Sequence, residues 1–229
     1  MLIDTALLIY SAIAVALTAN ELKKRVELPK IQRRSPYILR CKNVTFNMQI
    51  APHLLIAGLS GQGKSKFVEY LFKDKDDLDN VFLVNAYRSD FESLNCKRIN
   101  NITDILSLLT EASTELQRHP RYIIIDELLE LSIREPKIIK ELTKALAVAR
   151  HFNTFFVCIA QQATKEEIKC KSLFNCRVTF KQIESATYQT ILGFSPEEKQ
   201  LKQREFYYLS DCGTGRGTVP RVATAEYTE

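Results

Sequence analysis

Apolar residues fall into short runs separated by stretches with helical spacing. The runs at 53–57 (His-Leu-Leu-Ile-Ala), 81–85, 121–125, 154–159 and 176–180 read as strands. They are of the kind that forms a parallel sheet buried on both faces. Between them, 64–74, 103–118, 136–151 and 184–192 space their apolar residues as helices do. Strand–helix alternation implies an α/β fold, a mainly parallel sheet flanked by helices on both faces. The segment 37–50 alternates loosely and is expected to add a hairpin before this core. Gly213-Thr-Gly-Arg-Gly217 follows Phe206-Tyr-Tyr-Leu and precedes Pro220, with no helix after it, so it predicts a hairpin turn and not a second phosphate loop.

One apolar run is different. Residues 5–19 carry no charge, and Met1–Ile3 extend the run, interrupted only by Asp4. The stretch is close to the ~20 residues that span a bilayer as a helix. Lys23, Lys24, Arg25, Lys30, Arg33, Arg34, Arg40 and Lys42 follow it. Cations after the apolar run hold that end in the cytoplasm and argue against a cleaved signal peptide. The expected organisation is a transmembrane anchor over 1–20, a basic juxtamembrane linker over 21–43 and a cytoplasmic domain over 44–229. A buried or interfacial helix is the alternative for the first segment.

Charge sharpens that division. Residues 1–43 hold eight Lys/Arg against Asp4, Glu21 and Glu27, whereas 44–229 hold 24 of each sign, so the whole net charge of +5 sits before the domain. Any contact between the domain and a nucleic acid must then come from a local patch. The chain of 229 residues is 45% hydrophobic and 26% charged, the balance of a folded protein. Six cysteines without a Cys-x-x-Cys pair and three scattered histidines give little support to a zinc site and fit reduced thiols.

The chemistry concentrates at strand ends. After the run 53–57 comes Gly58-Leu59-Ser60-Gly61-Gln62-Gly63-Lys64-Ser65, followed by Lys66 and a helical pattern. This is Gly-x-x-x-x-Gly-Lys-Ser in the strand–loop–helix setting of a P-loop. Glycines turn backbone N–H groups toward an anion, and the helix N-terminus adds its dipole. Three of the chain's seven glycines lie in this loop. Lys64 is expected on the β- and γ-phosphates and the Ser65 hydroxyl on Mg²⁺. Arg121-Tyr-Ile-Ile-Ile-Asp126-Glu127 reads as a central strand ending in two acids, Asp126 beside Mg²⁺ and Glu127 activating the attacking water. The run 154–160 ends in Gln161-Gln162, amides able to sense nucleotide state.

These motifs together resemble the FtsK/SpoIIIE DNA translocases, within the FtsK–HerA group of P-loop ATPases, over about residues 50–225. Besides the phosphate loop, Glu115-Leu-Gln-Arg118, Asp126-Glu-Leu-Leu-Glu-Leu131, Ala149-Arg150, Ala160-Gln-Gln162, Cys176-Arg177-Val-Thr-Phe180 and the closing Tyr207-Tyr-Leu with Arg221-Val222 are similar to the family's motifs. Gln162 aligns with the family glutamine. The resemblance implies a RecA-like core, ATP and Mg²⁺ as cofactors, double-stranded DNA as the polymer moved, and a homo-oligomer, a hexameric ring. In such a ring an arginine reaches the neighbour's nucleotide; Arg150 and Arg177 are candidates by position. Three departures stand out. Asn85 occupies the place of an Asp in the family's Asp-Pro-Lys, Gln162 is followed by Ala163-Thr164 in place of Arg-Pro, and the sequence stops at Glu229 without a winged-helix module. The expectation is a minimal motor that moves DNA without reading it.

Within that reading the motor serves plasmid, conjugative or chromosome-type transfer, or packages the genome of a membrane-containing virus. A non-enzymatic nucleotide-gated membrane scaffold is a different class, and so is a small-molecule phosphotransferase. The transferase needs an arginine-rich lid that no segment offers.

Overall fold

The computed structural model describes residues 35–75, 78–87, 89–161, 170–196 and 200–221. The expected anchor at 1–20 and the linker up to residue 34 lie outside the described residues. Among the described residues, no helix is long and apolar enough to cross a membrane.

The chain opens with an antiparallel hairpin, β1 (Ile38–Cys41) and β2 (Val44–Asn47). This hairpin starts inside the segment assigned to the basic linker. Leu39, Cys41, Val44 and Phe46 alternate with polar residues and bury one face of the hairpin. The main sheet follows. Its strands are β3 (Leu54–Ala57), β4 (Val81–Val84), β5 (Lys97–Ile99), β6 (Arg121–Ile125), β7 (Thr154–Ala160), β8 (Cys176–Thr179), β9 (Glu205–Ser210) and β10 (Gly213–Thr218). They lie in the order β10-β9-β8-β3-β7-β6-β4-β5. Pairing is parallel from β8 through β5 and antiparallel at β8–β9 and β9–β10. All five predicted strands form, and β5 is an edge strand the apolar pattern did not announce. The segment Gly213–Gly217, expected to be a hairpin turn, instead forms strand β10 antiparallel to β9, with the turn at 211–212; Gly215 and Gly217 leave room for the Tyr208 and Phe206 rings of β9, which an added Cβ would meet.

Helices α1 (Lys64–Phe72), α2 (Ile102–Glu111), α3 (Leu128–Arg134), α4 (Pro136–Val148) and α5 (Ser185–Leu192) complete the described fold. The pleat divides the core. Leu54 and Ile56 of β3 pack with Phe67, Val68, Leu71 and Phe72 of α1 and with the hairpin's Leu39 and Phe46. Leu55 and Ala57 point the other way, into a cluster with Ile105 and Leu108 of α2, Leu131 of α3, and Ile138 and Leu142 of α4. Both faces are covered, which is why the central strands are apolar at every position.

Helix ends differ from the sequence expectation where the buried face runs out. The segment expected to be helical to 118 stops at Glu111, because Leu116 is exposed and nothing beyond Ala112 is buried before Pro120. Hydroxyls of Thr110, Ser113 and Thr114 bond back to carbonyls one turn earlier, the local competition that weakens helix interiors. The helix expected over 136–151 ends at Val148 and tightens into a 3₁₀ turn, Ala149–Phe152.

Candidate functional site

The carboxyl ends of β3, β6 and β7 meet on one edge of the sheet, where ligands of such folds bind. The loop 58–63 leaves β3 there and enters α1. Gly58 is required by close approach: a Cβ on it would come within 2.6 Å of Phe180 Cβ, at the end of neighbouring β8. Two hydrogen bonds zip the loop to that strand end, Phe180 N to Ala57 O at 2.8 Å and Leu59 N to Lys181 O at 3.2 Å. Gly63, with φ of 103°, caps α1 where an L-residue is strained.

The backbone N–H groups of Ser60 through Ser65 donate no hydrogen bond within the described residues. Consecutive unsatisfied donors at a helix N-terminus make an anion site, and the loop fits a polyphosphate on that ground. Lys64 is only 7% exposed. Its Nζ donates to Gly58 O at 2.7 Å and Leu59 O at 3.1 Å, so the ammonium is folded onto the loop's own carbonyls. Burial pushes its pKa down, while the charges of Glu127 and Asp126 oppose the shift. Lys66, on the outer face of α1, pairs with Glu69 at 2.8 Å.

β6 delivers the two acids. Asp126 is 4% exposed, and its pKa is pushed up to about 7, chiefly by burial and then by the charges of Glu127 and Asp90. An Mg²⁺ ion held there with the Ser65 hydroxyl would displace that proton. Among the described residues no cluster of three His, Cys, Asp or Glu side chains could hold a metal by itself. Mg²⁺ binds through one or two protein oxygens plus phosphates and water, and the Ser65 hydroxyl and the Asp126 carboxylate are two oxygens of that kind. Glu127 caps α3 in a left-handed conformation, φ 47° and ψ 55°, uncommon for a non-glycine residue.

Two neighbouring amides hold these acids, Gln161, expected to sense nucleotide state, and Asn85, for which the sequence suggested no role. Gln161, just past the end of β7, donates from Nε2 to Glu127 Oε1 at 2.8 Å. Asn85, at the tip of β4 with φ of 58°, donates from Nδ2 to the Asp126 carbonyl at 3.2 Å. The residue that departs from the family pattern thus fixes the backbone of an acid. The signal for Gln161 was present in the amide pair at the strand tip; Gln162 itself lies outside the described residues.

The two arginines lie apart from the loop. Arg150 is exposed in the 3₁₀ turn before β7, at the opposite end of that strand from Gln161. Arg177 is half-buried within β8. Its guanidinium donates to Phe174 O at 3.0 Å and Ile191 O at 3.1 Å, and burial lowers its pKa. It joins β8 to the end of α5 within this chain. A third feature had no local signal. Gln203 Nε2 donates to Gly61 O at 2.9 Å and Arg204 N to Gln62 O at 3.0 Å, so a segment about 140 residues downstream straps the phosphate loop.

No family model matches the chain. A DNA translocase FtsK of Borreliella burgdorferi is 25% identical over 215 residues, covering 74% of this chain; the chain spans 27% of that relative's length. Among solved structures, the pCW3 conjugation coupling protein TcpA with ATPγS superposes with a TM-score of 0.64 at 16% identity, over 83% of this chain and 67% of TcpA. The cytoplasmic domain of the Thermomonospora curvata type VII secretion ATPase EccC gives 0.66 at 14% identity, over 88% of this chain and 30% of that one. The genome packaging NTPase B204 of Sulfolobus turreted icosahedral virus 2, with AMPPCP, gives 0.54 at 14% identity, over 76% of this chain and 99% of B204. The structural likenesses establish the fold, and with the sequence relative they show that this chain resembles the FtsK–HerA-type P-loop ATPases.

Proposed function

We propose that this protein is an ATP-hydrolysing motor that moves double-stranded DNA. The observation that carries the proposal is the row of unpartnered loop N–H groups at the start of α1, one strand removed from the paired acids on β6. The loop binds and orients the triphosphate, and Lys64 turns from the Gly58 and Leu59 carbonyls to its β- and γ-oxygens. Ser65 and Asp126 would hold Mg²⁺, which would supply charge neutralisation at the phosphates. Glu127, oriented by Gln161, accepts the proton of the attacking water. Support for DNA as the polymer comes from the sequence relative, a DNA translocase. Support for a small motor comes from B204, a genome packaging NTPase almost all of which is matched by this fold.

The remaining features belong to the same proposal. The apolar run at 5–19 and the cations after it anchor the motor in a membrane, a host inner membrane or a virion internal membrane, with the ATPase domain on the cytoplasmic side. Subunits assemble in a hexameric ring. Arg150, exposed and remote from its own phosphate loop, is the better candidate to act on a neighbour's nucleotide, because the Arg177 guanidinium is held by carbonyls of its own chain.

The test is ATP turnover by the full chain with and without double-stranded DNA across a salt series. Stimulation that declines as salt rises is expected, since phosphate contacts weaken with ionic strength. Hydrolysis without stimulation at any salt overturns the DNA reading, and turnover unchanged by Lys64→Ala overturns the ATPase reading.

A further inference from the structure

The sheet order sets the direction of a triphosphate whose terminal phosphate meets the acids, as proposed above. The phosphate loop leaves β3; β7 and then β6 with its acids lie on one side, and β8, β9 and β10 on the other. A terminal phosphate directed at Asp126 and Glu127 sends the α-phosphate, and whatever it carries, toward the β8–β9 side.

On that side the strap meets the loop. Besides its bond to Gln62, Arg204 lies against Gly63, where an added Cβ would meet Arg204 Cγ at 3.3 Å. Arg204 holds a φ of 69°, uncommon outside glycine. It is fixed there by Val219 N donating to its carbonyl at 2.9 Å and by its own guanidinium donating to Pro220 O at 3.1 Å. Arg204, Val219, Pro220, Arg221, Lys42 and Lys202 line a cleft of about 390 Å³, within the roughly 300–1,000 Å³ of small-molecule sites. Its one carboxylate, Glu205, already accepts from Arg216 and from the Lys202 backbone N–H, each at 2.7 Å. The cleft therefore pairs an excess of cations with an apolar wall made by Val219 and Pro220.

We infer that this cleft is the nucleoside subsite, and that Arg204 and Pro220 are the residues that make the site select a nucleotide over a bare polyphosphate. The inference rests on the phosphate-loop reading proposed above. A guanidinium plane and a proline ring both pack on a heteroaromatic base, and Arg does so with a cation–π contribution. Lys42, Lys202 and Arg221 place positive charge near the α-phosphate. The same cations suit a DNA backbone, but the strap's bonds to Gly61 and Gln62 tie this cleft to the loop.

The experiment compares binding of Mg-ATP and of magnesium tripolyphosphate to the full chain by calorimetry. The variants are Arg204→Gly, which keeps the positive φ accessible, and Arg221→Ala, at an exposed position that leaves the strap intact. The unaltered protein is expected to bind ATP at least about tenfold more tightly than tripolyphosphate. Arg204→Gly narrows that gap to within about twofold, by weakening ATP alone, and Arg221→Ala narrows it in part. Equal weakening of both ligands by Arg204→Gly overturns the inference, and so does equal affinity for both in the unaltered protein. Unchanged ATP binding with reduced DNA stimulation overturns it in favour of a DNA contact. Binding of neither ligand by the unaltered protein instead overturns the phosphate-loop reading itself.

Discussion

Replacing Gly58 with alanine adds one methyl at the point where the phosphate loop turns past β8. The new Cβ would sit 2.6 Å from Phe180 Cβ, 3.3 Å from its Cα and 3.4 Å from its N. Two of these atoms are backbone and the third is fixed to it, so no rotamer change relieves the overlap; the strand end must move. Movement strains the bonds Phe180 N–Ala57 O and Leu59 N–Lys181 O. Overpacking of this kind costs about 1–3 kcal/mol, and the positive φ of 153° adds about 1–3 kcal/mol of backbone strain. Gly61→Ala is the control. Its φ is 72° and nothing lies within 4 Å of the added methyl, so it carries the backbone strain alone. Denaturant unfolding is expected to show Gly58→Ala about 1–3 kcal/mol less stable than Gly61→Ala. In thermal unfolding that is a gap of roughly 2–12 °C for a domain of this size. ATP turnover should fall further in Gly58→Ala than in Gly61→Ala at a temperature where both are folded. Equal stability of the two variants refutes the argument that contact with Phe180 dictates glycine at 58.

Gln161→Ala frees the Glu127 carboxylate, and a charge-assisted hydrogen bond worth about 1.5–3 kcal/mol when shielded predicts a kcat loss of about tenfold; a fall in KM alone, with kcat intact, contradicts the orienting role. Asp126→Asn removes a carboxyl whose folded pKa of about 7 lies above its ordinary 3.8. Because the folded state binds this proton more tightly than the unfolded chain, wild-type stability from this group falls as pH rises from about 4 through 7. Without nucleotide or Mg²⁺, the variant should therefore be more stable than wild type by on the order of 2–4 kcal/mol at pH 8, with the advantage gone near pH 4 and hydrolysis abolished; equal denaturant midpoints at pH 8 refute the burial penalty. His53 works in the opposite sense. Burial holds its pKa down to about 4, its Nδ1 accepts from Phe156 N at 3.0 Å, and stability present above pH 6.5 is lost as pH falls toward 4. An NMR titration should show a neutral His53 ring at pH 5, and protonation near 6.5 would contradict its burial.

The chemistry-bearing residues were legible because each stands at the end of a regular element that announces itself. Gly58–Ser65 follows an apolar strand and opens a helix, and Asp126-Glu127 ends an apolar run; local spacing alone puts these groups at the carboxyl edge of a parallel sheet. What holds them was less legible. Asn85 looked like a departure from a family pattern, yet its amide bonds the Asp126 backbone from a strand 41 positions earlier in the chain. The extent of helix 102–111 was overestimated, because propensity continued after the core had stopped.

The sequence by itself determined the phosphate-loop motif Gly58–Ser65 and the acid pair at the end of an apolar strand, since those patterns depend on residue type within a few positions along the chain. Only the tertiary structure decided that Gly58 must be glycine, that Gln161 orients Glu127, that Arg177 is occupied within its own chain, and that Gln203 and Arg204 strap the loop. Each of these is a distance between residues remote in sequence, set by sheet order and by the packing of strand ends, and no local pattern encodes such a distance.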